Sequence, residues 1–146
     1  MTPKTLKRTL AIKERLRQWR RAELYEAETA VADAERSVGV EAERHAGTCA
    51  VITRAGEISA NDLVLAAEQL ALAQRALKQA QSALTEREAE REVRKDVMGE
   101  ATREVRAIEA LHTRLVVEQR RAVDQNEQRE LDEVASRKGA GKGRPR

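Results

Sequence analysis

The chain has 146 residues, of which 36% are charged and 1% are aromatic, and its formal net charge is +3. This composition is typical of long helices and coiled coils and argues against an ordinary globular domain. A pair of helices encloses no deep pocket, so we expect no enzymatic activity, no small-molecule substrate and no cofactor or metal. With Cys49 as the only cysteine, no internal disulfide can form.

The first helix is predicted over about residues 4–54. Thr2 or Thr5 can cap its start, and Pro3 is tolerated in a first helical turn. No proline follows as far as residue 54, and the only glycines in this range are Gly39 and Gly47. Each glycine costs about 1 kcal/mol relative to alanine inside a helix, so the end of this helix is expected to be less regular.

A turn is predicted at about residues 55–60, and a second helix at about residues 60–137. Gly56 favours the end of the first helix, and Ser59 with Asp62 resembles a capping box; Asn61 is an alternative cap. Together these helices form one domain, residues 1–137. The Gly-rich, basic residues 138–146 are expected to be a disordered tail.

Two seven-residue ladders indicate how the helices pair, because apolar residues at this spacing keep one stripe toward a partner helix. The residue numbers of facing rungs add to 115, which predicts that the chain folds back on itself. The fold class is therefore all-α, a long antiparallel two-helix coiled-coil hairpin, expected to be monomeric. The rungs are Leu24, Val31, Val38, His45 and Ile52 in the first helix, and Leu63, Leu70, Leu77, Leu84, Arg91, Met98 and Val105 in the second.

The start of the first helix does not keep this frame, so a register shift is expected between Trp19 and Leu24. The sum of 115 places Val105 beside Leu10, so the second helix should extend beyond the first helix after about Thr113. Such an extension suggests a docking surface. Its apolar residues are Leu111, Leu115, Val116 and Val117.

Charge is distributed unevenly along the chain. Residues 1–22 hold eight Lys/Arg and one acid, and residues 137–146 hold five Lys/Arg and no acid. Because both termini of a hairpin lie toward the same end, that end is expected to be basic. A basic surface attracts an acidic protein, nucleic acid or anionic lipid.

A further stripe on the second helix points away from the first helix. Leu65 and Leu72 repeat at seven residues, and Gln69 and Ala76 continue the stripe. It is either incidental exposure, a self-association surface or a partner-binding surface.

The end of the second helix, residues 127–137, carries Glu127, Arg129, Asp132, Glu133, Ala135 and Arg137. Their spacing matches the signature E-x-(K/R)-x-x-D-E-x-A-x-R, and in this the chain resembles the FliJ family of flagellar export proteins. The basic opening, Leu6 to Ala22, is similar to the start of that family. The injectisome stalk proteins of the YscO or SctO group are similar in shape and termini.

The resemblance implies a non-enzymatic cytosolic stalk of a type III protein export apparatus at the inner membrane. Its partners would be a hexameric export ATPase, an export-gate membrane protein and export chaperones. Export-gate candidates are Leu65, Gln69, Leu72 and Ala76. ATPase-binding candidates are Lys7, Arg8, Lys13, Glu127, Arg129, Asp132, Glu133 and Arg137.

Two alternatives remain open. One is a nucleic-acid-binding coiled coil that uses the basic termini, although a single Trp provides no aromatic platform for stacking bases. The other is a dimeric scaffold in which the leucine rungs pair between chains.

Overall fold

The computed structural model describes residues 1–54 and 56–141, and these form two α-helices. Helix α1 is Pro3–Arg54, and helix α2 is Ala60–Gly141. No strand occurs among the described residues, and the predicted all-α helical hairpin is confirmed. Over the same residues, neither helix contains a stretch long and apolar enough to cross a membrane.

Both helices begin at reciprocal side-chain caps. The Thr5 amide donates to Thr2 Oγ1 at 3.3 Å, while the Thr2 amide donates to Thr5 Oγ1 at 3.0 Å. At α2, the Asp62 amide donates to Ser59 Oγ at 3.2 Å, and the Ser59 hydroxyl donates to Asp62 Oδ2 at 2.7 Å. Each cap satisfies a backbone N–H that has no partner within the helix.

The helix ends differ slightly from those predicted. Helix α1 ends at Arg54 as expected, two residues before Gly56. Helix α2 continues to Gly141, four residues beyond the predicted end. Residues 142–146 of the predicted tail lie outside the described residues.

The chain divides into two compact units. Unit 1 is Met1–Leu16 with Thr102–Arg146, and unit 2 is Arg17–Ala101. Each unit contains part of α1 and part of α2, so each has its own section of the interhelical seam.

In unit 2 the seam is made largely of small side chains. Ala27, Val31 and Ala73 are buried on the facing sides of the two helices. Alanine side chains are small, so they allow the two backbones to approach closely at these positions. The rungs from Leu70 to Met98 are half-buried as predicted, whereas Leu63 is 56% exposed.

Leu63 was predicted to face Ile52, but its side chain is exposed. Helix α2 begins at Ala60, so Leu63 lies in its first turn. The half-buried apolar side chain of the connection is Ile58 instead.

In unit 1 the seam is held by Leu6 and Val105, which are 2% and 0% exposed. Lys13 Nζ donates to Glu104 Oε2 at 2.6 Å across the helices. Those two residue numbers add to 117, close to the predicted 115. Every described residue from Val117 onward is exposed, so α2 extends past α1 as predicted. The exposed extension begins about four residues after the predicted position, Thr113.

The predicted register shift near Trp19 is wrong. Leu10, Arg17 and Leu24 are all half-buried at a constant spacing of seven residues, while Ile12 and Trp19 are exposed. The apolar residues that broke the pattern point outward, and the seam position between Leu10 and Leu24 is occupied by an arginine.

Replacing Gly39 and Gly47 with alanine should stabilise the protein. An added Cβ at either position meets nothing within 4 Å, so only the helix-propensity gain of up to about 1 kcal/mol each is expected. Urea unfolding followed by circular dichroism measures the change. A loss of stability in the double variant would show that this part of α1 is not helical in solution.

Val105→Ala should lower the free energy of unfolding by about 2 kcal/mol, because it removes two methyl groups from the most enclosed side chain of unit 1. The matched control is Val123→Ala, at a 55% exposed position of the same helix, for which we expect a change within about 0.5 kcal/mol. Equal urea midpoints for the two variants would contradict the assigned seam.

Candidate docking surfaces

The start of α1 forms a basic surface in unit 1. Residues 1–16 hold five Lys/Arg and one acid. The candidates Lys7 and Arg8 are both exposed and have no salt bridge among the described residues. Lys13 differs from them, because its ammonium group is half-buried and paired with Glu104. Lys7 and Arg8 are therefore better placed than Lys13 to meet a partner.

Residues 117–141 of α2, which we name the C-terminal segment, form the second surface. All of them are exposed, including Leu131 and Val134, which are 68% and 50% exposed. No second helix covers these apolar side chains within the chain. Their burial against a partner would therefore be favourable.

The predicted signature residues all lie on the C-terminal segment. Arg137 donates to Glu133 Oε1 at 2.8 Å, one helical turn away, and both side chains are largely exposed. Such a pair contributes only about 0.3–0.5 kcal/mol to a helix. Glu127, Arg129 and Asp132 are exposed and without a salt bridge in the described chain.

The structure does not bring the two halves of the predicted ATPase-binding set together. In the observed register Lys7 lies level with Ala110, seventeen residues before Glu127. At 1.5 Å per residue this separates the two groups by about 25 Å along α2. A single partner that contacts both must extend along unit 1.

A third surface lies in unit 2 near the connection between the helices. The predicted stripe Leu65, Gln69, Leu72 and Ala76, which we name the outer stripe, is exposed except for the half-buried Ala76. The prediction that the stripe points away from α1 is wrong, because Gln69, Leu72 and Ala76 line a concavity of about 430 Å³ between α1 and α2. Its lining is Arg44, Thr48, Gln69, Leu72, Ala73 and Ala76.

The groove continues toward the connection, where a second concavity of about 550 Å³ shares Arg44, Thr48 and Gln69 with the first. Arg44 and Thr48 are not among the residues predicted for this surface. The sequence nevertheless indicates them, because facing residue numbers that add to 115 place both residues level with the outer stripe. Arg44 is held by Glu41 at 3.1 Å, which keeps its guanidinium at the wall of the groove.

Polar residues also lie within the seam of unit 2. Glu23 accepts from Arg20 at 3.0 Å and from Arg94 on the other helix at 3.3 Å, and all three are partly buried. Arg20 also lies over the exposed Trp19 ring, 5.7 Å from its centroid. These contacts occupy the Arg20 charge, which is then poorly available to an external anion.

The histidines lie on the seam, as their spacing predicted. His45 and His112 are half-buried, and His45 Nε2 lies 4.0 Å from Cys49 Sγ one turn later. Within residues 1–54 and 56–141, no group of three His, Cys, Asp or Glu side chains is arranged to hold a metal ion.

No protein-family model matches this chain, and neither a curated protein nor a solved structure is significantly similar to it. The surfaces described above therefore rest on the residues of this chain alone.

Proposed function

We propose that the protein is a non-enzymatic stalk or adaptor of a bacterial type III protein export apparatus, flagellar or injectisome. It docks its terminal unit into a hexameric export ATPase and links that ATPase to the export gate. In this role it is cytoplasmic and associates peripherally with the apparatus at the inner membrane, where export chaperones are further partners.

The observation that carries the proposal is the C-terminal segment. It bears the signature through which the chain resembles the FliJ family, and all its described residues are exposed. A helix of this length that buries nothing gains little stability from its own chain, which is consistent with an element that docks into another protein. Arg129 and Asp132 present opposite charges there, suited to a polar ring interior.

The basic start of α1 supports the same partner. Lys7 and Arg8 are exposed in the unit that also contains the C-terminal segment. An acidic ring opening would be attracted to these cations and would associate faster because of them.

The outer stripe in unit 2 is the candidate export-gate surface. Exposed leucines beside a groove form the kind of surface that accepts an apolar helix or loop. Of its four residues, Leu65 and Leu72 present the largest exposed apolar area, so they are expected to contribute most of the binding energy.

We expect the double variant Arg129→Ala, Asp132→Ala to weaken stimulation of export-ATPase hexamer assembly by about tenfold or more, since two exposed charged contacts are removed. Sedimentation of the ATPase with the variant measures this. The matched control is Asp33→Ala, Arg36→Ala, which removes an exposed ion pair of the same charges from unit 2. Equal assembly with both variants would overturn the docking role of the C-terminal segment.

The nucleic-acid alternative has one favourable observation, the exposed cations Lys7 and Arg8 on the start of α1. Binding through phosphate contacts falls steeply with salt, by about 10³-fold or more between roughly 50 and 200 mM when about six to ten phosphates are contacted. For the export stalk we expect no duplex-DNA binding at physiological salt in a fluorescence anisotropy titration. Binding that persists there and weakens in Lys7→Ala, Arg8→Ala would favour the alternative.

A further inference from the structure

Helix α2 carries two apolar faces in unit 2, and only one of them is covered. Ala66, Leu70, Ala73 and Leu77 face α1 and are buried or half-buried. The outer stripe lies on the neighbouring face, where Leu65 is 56% and Leu72 is 62% exposed. Its spacing alternates four and three residues, which is the spacing of a coiled-coil core. The spacing therefore describes a second helix-packing surface rather than scattered exposed residues.

The outer stripe is complementary to itself when a second α2 runs antiparallel. With facing residue numbers adding to 141, Leu65 lies opposite Ala76 of the second copy, and Leu72 lies opposite its Gln69. Each large side chain meets a smaller one, so the helices can interdigitate. The concavity of about 430 Å³ beside Gln69, Leu72 and Ala76 provides room for the incoming leucines.

The charged residues beside the stripe also favour the antiparallel pairing. Glu68 and Arg75 lie seven residues apart on its solvent side, away from α1, and both are exposed. Neither forms a salt bridge within the described chain. In the antiparallel register Glu68 of each copy lies beside Arg75 of the other, so the pair forms twice. A parallel register would place Glu68 beside Ala73, which offers no charge.

From this complementarity we propose that two copies associate antiparallel through their outer stripes, and that each copy keeps its own hairpin. The contact contains only two leucines from each copy, which corresponds to a small interface. The dimer is accordingly reversible, with a dissociation constant in the micromolar range or weaker.

The dimer does not depend on the proposed function, but it has a consequence for it. If the outer stripe also binds an export gate, self-association and gate binding exclude each other. The dimer would then be the form of the protein that is not engaged with the export apparatus.

Sedimentation equilibrium over about a hundredfold range of concentration tests the dimer. We expect the mass to rise from that of the 16.3 kDa chain toward twice that value. Leu72→Glu should keep the chain monomeric throughout that range. The matched control is Val64→Glu, at a 59% exposed position that precedes Leu65 and lies off the stripe. This variant should dimerise like the parent. Circular dichroism checks that both variants keep their helices.

Charge exchange tests the register. Glu68→Arg alone and Arg75→Glu alone each place like charges together twice and should weaken the dimer by about tenfold or more. Combining both changes in one chain should restore the dimer, and mixing the two single variants should produce a heterodimer.

Cross-linking provides an independent readout of the same register. In a Cys49→Ser background, an equimolar mixture of Leu65→Cys and Ala76→Cys chains should form disulfide-linked dimers faster than either chain alone. A chain that stays monomeric at every concentration, or a dimer equally sensitive to Leu72→Glu and Val64→Glu, would overturn the proposal. A dimer that the charge exchange leaves unchanged would overturn the antiparallel register.

Discussion

Both units depend on the packing of α1 against α2. The buried side chains of the described residues lie along this seam and are Leu6, Ala27, Val31, Ala73, Ala101 and Val105. Because α1 has only one helix to pack against, the seven-residue spacing must be kept along its whole length. The C-terminal segment and the sides of each helix that face away from the seam are left to solvent, and every candidate surface lies on one of them.

The polar interruptions of the seam matter for alignment more than for stability. Lys13 with Glu104, and Glu23 with Arg94, cross between the helices within units 1 and 2 respectively, and both sets of residue numbers add to 117. Exposed or half-exposed ion pairs contribute little free energy. A sliding of one helix by a turn would nevertheless separate each pair and leave its charges partly desolvated, so these pairs disfavour other registers.

Much of the fold could be predicted because it follows from local rules and periodicity. The seven-residue ladder predicted the pairing, and Ser59 with Asp62 predicted the start of α2. The exposure of Leu63 could not be predicted from the ladder, because seven-residue spacing identifies a face of the helix and not which of its residues are covered. The expected register shift near Trp19 is wrong for a related reason: outward-facing apolar residues such as Ile12 and Trp19 resemble a shifted register when the covered face of the helix is not known. The pairing of Lys13 with Glu104 could not be recognised from local sequence, because the two residues are 91 positions apart. The partners of the candidate surfaces could not be predicted from physical terms at all, since exposure identifies a surface and not what covers it.

The C-terminal segment has a thermodynamic character different from the rest of the molecule. Its backbone hydrogen bonds are intact, yet its described side chains are all exposed, so no hydrophobic term holds them in place. Its helicity is set by intrinsic propensity and by short-range pairs such as Glu133 with Arg137, and it decreases gradually with temperature rather than in a cooperative transition. Heating would therefore remove the helical signal in two stages, first a sloping loss from this segment and then the unfolding of the seam. Contact with a partner would restore the helix lost in the first stage. The entropic cost of ordering the segment would then lower the affinity for that partner.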